Sequence, residues 1–114
     1  MKLLEQMKEL TQLRGISGCE DEVRDYLIGR IEGHCDRYEV DNMGNLIVHK
    51  KGRQTGSKKV LFSAHMDEVG FVITHTAKEG MLHFAPVGGV TPAVTAGRPV
   101  LIGKNAVPGV IGTR

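Results

Sequence analysis

The run Val60-Leu61-Phe62-Ser63-Ala64-His65-Met66-Asp67-Glu68-Val69-Gly70 decides how the rest of the sequence is read. Its first five residues form a short apolar stretch, the pattern of an interior strand covered on both faces of an α/β sheet. Polar groups able to bind metal follow at once, at the C-terminal end of that strand, where open α/β sheets place their ligands. In extended backbone, alternate residues share a side, so His65 and Asp67 are expected to face one site while Met66 and Glu68 turn away. An imidazole nitrogen is a good zinc ligand, and a carboxylate two residues later can hold the ring's geometry. A lone His-x-Asp also arises by chance, the ring nitrogens then being satisfied by neighbours.

Upstream, Leu3, Leu4, Met7, Leu10 and Leu13 recur at helical intervals and predict a first helix ending near Gly15, with those residues as its core stripe. Ser17 and Glu20 have capping-box spacing, and Val23, Tyr26, Leu27 and Ile31 mark the buried side of a second helix reaching Gly33. The period then changes. Tyr38 and Val40 alternate with polar residues, Asp41 to Asn45 supplies turn chemistry, and Leu46-Ile47-Val48 is apolar, which predicts two paired strands. Beyond Gly70, short β-type runs at 71–76, 81–87, 100–102 and 107–111 are separated by glycines and prolines. The shift from α/β to all-β patterning places a domain boundary near residue 72.

Composition narrows the function classes. The 114 residues are 40% hydrophobic and 25% charged, an ordinary globular mixture for one modest core. The 15 basic against 13 acidic side chains form no basic stripe with interleaved aromatics, so no nucleic-acid partner is indicated. Lys50, Lys51, Arg53, Lys58 and Lys59 read as solvated ends of a Gly/Ser loop. No stretch approaches the ~20 apolar residues of a membrane span, and charge arrives too early after Met1 for a signal peptide. A cytoplasmic chain is the expectation. Cys19 and Cys35 lack the spacing of a zinc site or a disulfide framework and read as reduced thiols.

Other chemistries fit less well. Asp67 and Glu68 invite a glycosidase reading, but such carboxylates face each other about 5–10 Å apart across a cleft, whereas adjacent strand residues point in opposite directions. His34, His49, His75 and His83 are scattered, without the spacing of a His-Glu-x-x-His site, and read as surface or structural. Gly88-Gly89 and Gly97 lack the context of a phosphate cradle, and there is no Gly-x-Ser-x-Gly elbow.

The segment His65-Met66-Asp67-Glu68-Val69-Gly70-Phe71 resembles the signature of the tetrahedral aminopeptidases, family forty-two of the metallopeptidases. The family includes glutamyl and deblocking aminopeptidases and some members labelled endoglucanase. The likeness extends to Gly15-Ile16-Ser17-Gly18-Cys19-Glu20-Asp21-Glu22-Val23-Arg24 and Asp41-Asn42-Met43-Gly44-Asn45-Leu46. Downstream it takes in Pro86-Val87-Gly88-Gly89-Val90, Gly97-Arg98-Pro99-Val100 and Pro108-Gly109-Val110-Ile111-Gly112. It covers the chain in family order.

The resemblance implies residues 1–72 as the N-terminal part of a mixed-sheet zinc-peptidase domain, and residues 73–114 as the start of an inserted β-barrel, PDZ-like dimerisation domain. It implies His65 as a metal ligand and Asp67 as the acidic residue that orients the catalytic site. Two divalent ions are implied, zinc first and cobalt as the alternative. So are peptide substrates, and assembly from dimers to a tetrahedral dodecamer. The family's remaining ligands and general base have no counterpart here, so the sequence reads as an N-terminal fragment, inactive alone. The alternatives are a non-catalytic assembly module or remnant and, less favoured, an endoglucanase.

Overall fold

Local turn chemistry, rather than a shared core, holds most of this chain in shape. The computed structural model describes residues 3–53, 56 and 58–112. The order is helix α1 (Leu3–Leu10), helix α2 (Asp21–Ile31), strands β1 (Arg37–Val40), β2 (Leu46–His49), β3 (Gly70–Thr76), β4 (Leu82–Val87), β5 (Pro99–Ile102) and β6 (Val107–Val110). Single 3-10 turns occur at Lys78–Gly80 and Pro92–Val94. The strands form three separate antiparallel ladders, β1 with β2, β3 with β4 and β5 with β6. The result is a small mixed α/β arrangement.

The β1–β2 hairpin shows why these elements form where they do. Tyr38 pairs with Val48 and Val40 with Leu46. The connection is organised by Asp41, whose Oδ1 accepts the amides of Met43 and Asn45, both at 2.9 Å, while its Oδ2 accepts the Asn45 side-chain amide at 2.8 Å. Gly44, at φ 85°, supplies the left-handed residue. In the last hairpin, Ile111 continues past β6, exchanging backbone hydrogen bonds with Gly97 at 2.8 Å and Arg98 at 3.0 Å, and is 6% exposed.

Three expectations are corrected. Val60 to Ala64 is not a paired strand: among the described residues no strand bonds to it, and Leu61 and Phe62 are 90% and 91% exposed. A strand buried on both faces needs neighbours on both edges and layers on both faces, and the three local hairpins supply neither. The three ladders stay separate. The first helix stops at Leu10, and Leu3, Leu4 and Met7 of its stripe stand open. It is tied to α2 by polar contacts, the Tyr26 hydroxyl and Arg30 guanidinium both donating to Glu9. Finally, Ser17 does not cap α2; the helix begins after Glu20 without a side-chain cap. The expected Gly/Ser loop lies partly outside the described residues.

These observations agree with the overall dimensions. A compact domain of this length has a radius of gyration of about 13 Å, whereas this chain measures 18.5 Å and extends 63 × 32 × 25 Å. Its accessible surface is 9998 Å², against about 6,100 Å² for a compact monomer of this mass. Val23 and Ile111 are the hydrophobic residues that reach burial among those described.

The turn makes the first hairpin sensitive to pH. Hydrogen bonds from the Asn45 side chain, then from the backbone amides, hold the Asp41 carboxyl below its ordinary value of 3.8. A carboxyl lowered in this way stabilises the folded hairpin above its unfolded value, and that contribution disappears as pH falls through the folded one. Amide protection across β1 and β2, corrected for intrinsic exchange, should therefore be constant above about pH 5 and decline below 3.8. Asp41→Asn should lower the protection and abolish this pH dependence.

Candidate functional site

Two distant stretches meet at the candidate site. The turn that precedes α2 runs beside the segment that precedes β3, and Ile16 forms a parallel bridge with Glu68. The Glu68 amide donates to the Gly15 carbonyl at 2.7 Å, and the Gly15 amide donates back to Glu68 Oε1 at 3.3 Å. Close approach requires glycine on both sides. A Cβ on Gly70 would lie 2.2 Å from Ile16 Cγ2, and one on Gly15 would lie 2.9 Å from Val23 Cγ2.

This junction presents His65 and Asp67 together. The ring Nδ1 of His65 lies 2.9 Å from both Asp67 Oδ1 and the Asp67 carbonyl oxygen. Both partners only accept, so Nδ1 carries the proton and donates. In the neutral ring Nε2 then holds a free lone pair, and the His65 side chain is 86% exposed. The second Asp67 oxygen accepts from the Ser17 hydroxyl. Ser17 first, then His65, holds the Asp67 carboxyl below the usual carboxylate range. A recess of about 150 Å³ beside the pair is lined by Glu20, Met43, Asn45, His65 and Asp67. On the other side, an apolar groove of about 370 Å³ runs between the helices, lined by Leu10, Leu13, Val23, Leu27 and Met66.

Sequence reasoning missed Ser17 at this site. Its spacing to Glu20 resembles a helix cap, and the partner it bonds lies 50 residues away. Glu68 turns to the Gly15 amide while Asp67 turns to Ser17 and His65, so the two neighbouring carboxylates have separate partners. His34, His49, His75 and His83 do not join the site, and among the described residues no three His, Cys, Asp or Glu side chains gather around a common point. Cys19 and Cys35 are unbridged. The donor set thus fits one imidazole ligand, with a carboxylate on its far nitrogen, for a divalent ion such as zinc.

The sequence profile of the M42 glutamyl aminopeptidase family matches residues 44–114. The chain belongs to the M42 glutamyl aminopeptidase family. The glutamyl aminopeptidase of Lactococcus lactis subsp. cremoris is 35% identical over 98 residues, 86% of this chain and 28% of that one. The TET1 peptidase of Pyrococcus horikoshii, which assembles into a tetrahedron or a large octahedral shell, superposes with a TM-score of 0.85 at 40% identity, covering 99% of this chain and 34% of that one. A Thermotoga maritima structure described as an endoglucanase gives a TM-score of 0.86 at 48% identity, over 94% of this chain and 33% of that one. The chain therefore spans about a third of the length of these M42 relatives.

Two variants probe how the M42 chain holds this pair. Gly70→Ala should push Ile16 away and destabilise the junction by about 1–3 kcal/mol, the usual cost of overpacking, read as faster exchange of the Glu68 amide. Ser17→Ala should free one Asp67 oxygen and let the carboxyl rise toward its ordinary value of 3.8, which its side-chain ¹³C shift reports; Ser17→Thr keeps the hydroxyl and should restore the lowered value.

Proposed function

We propose that this chain supplies the first metal ligand of a two-metal aminopeptidase that removes N-terminal residues from peptides. The observation that carries this reading is the His65–Asp67 contact, which fixes the proton on Nδ1 and leaves Nε2 as a donor on an exposed edge. His65 would bind one divalent ion through Nε2, and Asp67, itself held by Ser17, would keep the ring in that tautomer and raise its basicity. When bound, two such ions polarise the scissile carbonyl and lower the pKa of a water, zinc being the first choice and cobalt the alternative. The recess beside His65, with Glu20 and Asn45 on its wall, offers the polar side on which a peptide terminus would be oriented.

In the same reading, residues 1–72 belong to the peptidase domain and residues 73–114 to an inserted PDZ-like β-barrel domain, the junction falling inside β3. Its hairpins would serve assembly, from dimers to a tetrahedral dodecamer, in the cytoplasm. Support for a water-soluble setting is that no helix among the described residues is long and apolar enough to cross a membrane. The endoglucanase description of the Thermotoga relative raises a glycosidase reading. The separate engagement of Asp67 and Glu68 opposes it, since the paired carboxylates of glycosidases flank a shared substrate bond.

The test is a chimera in which residues 1–114 replace the corresponding segment of the Pyrococcus horikoshii TET1 peptidase. It should release a chromophore from an aminoacyl substrate and leave a soluble glucan intact. His65→Ala in the chimera should lower metal content by about one ion per chain and abolish turnover, whereas Asp67→Asn should keep most of the metal and lose about 10–100-fold in activity. Full metal content after His65→Ala would remove His65 from the site. The 114-residue chain alone should show no turnover with either zinc or cobalt.

A further inference from the structure

We propose that His75 and His83 form a transition-metal chelate on the β3–β4 hairpin. The two residues are cross-strand partners, and their ring centroids are 5.8 Å apart with the planes inclined by 50°. Both are exposed, and among the described residues no hydrogen bond or ion pair engages either ring.

Their meeting depends on an irregularity in the ladder. Ile73 pairs with Phe84, the register then shifts, and pairing resumes at His75 with His83, leaving Thr74 as the extra residue. Had the register continued, Thr74 would oppose His83, and His75 would oppose Leu82 on the other face. The bulge therefore moves His75 onto the face that carries His83, which is how bulges re-aim side chains in functional sheets.

The spacing suits a shared ion. With metal–nitrogen bonds of about 2.0–2.1 Å, each ring centre sits about 3.2 Å from the ion, so angles from tetrahedral to about 130° separate the centres by about 5.2–5.8 Å. The ion that fits both the imidazole donors and these angles is zinc, which is tetrahedral; copper(II) and nickel(II) ask for square or octahedral angles, and calcium and magnesium prefer oxygen. No third His, Cys, Asp or Glu joins the pair among the described residues, so water fills the remaining positions. Binding strength comes from the second imidazole, held by the hairpin at high effective concentration.

The 114-residue chain is titrated with zinc chloride at about pH 7.5, where an ordinary imidazole is neutral, and the ring resonances of each histidine are followed by NMR. The signals of His75 and His83 should shift together, at a zinc concentration about tenfold or more below that affecting His34. His75→Gln should raise the concentration needed at His83 by a similar factor, and His83→Gln should do the same at His75. Deleting Thr74 keeps both histidines but restores the regular register, and should also raise it. Cross-strand contacts in the same spectra report whether each variant keeps its hairpin, and the two exposed Gln substitutions decide the matter even if the deletion unpairs the strands. Equal response of His75, His83 and His34, or an unchanged His83 in His75→Gln, overturns the chelate.

Discussion

The reciprocal bond between Gly15 and Glu68 is the constraint on which the site depends. One hydrogen bond uses the Glu68 amide, the other its carboxylate, so both the backbone and the side chain of a single residue are held by one glycine. That double hold fixes the approach of the turn before α2 to the segment before β3. At that distance Ser17 reaches one carboxylate oxygen of Asp67, while the other, together with the Asp67 carbonyl, accepts from His65. The glycines at 15 and 70 are the steric condition for it, since a methyl group at either position collides with Val23 or Ile16. The His65–Asp67 pair thus rests on small residues that carry no polar side chain of their own.

How much of this is legible in the sequence follows the range of the interaction that fixes each part. The hairpins are local. Alternation in Tyr38 and Val40, the Asp41–Asn45 turn and the Gly/Pro breaks between later strands all act within a few residues, and the ladders form where those signals stand. The closeness of His65 and Asp67 is equally local, since extended backbone puts alternate side chains on one side. Ser17 shows the limit. A serine three residues before a glutamate satisfies the local rule for a helix cap, yet its hydroxyl is taken by a carboxylate 50 residues away. Val60 to Ala64 shows the same limit from the other side: its composition describes a strand in a filled sheet, and the neighbours that composition presupposes are not among the chain's own hairpins.

The β3–β4 hairpin gives a third case. The histidines at 75 and 83 look unrelated in sequence, and a regular ladder would put them on opposite faces. One inserted residue reverses that parity. Sheet period is strict enough that such an insertion changes the company of every side chain beyond it. Spacing rules derived for regular strands are blind to it.

The open stretch at Val60, Leu61 and Phe62 changes what stability means for this chain. Local hairpins hold by intramolecular terms, which do not depend on how much protein is present. Where an exposed apolar segment of this kind is covered by another molecule, the gain obeys mass action. The natural scale for this part of the molecule is then a dissociation constant and a working concentration, and a melting temperature quoted without them describes only the hairpins.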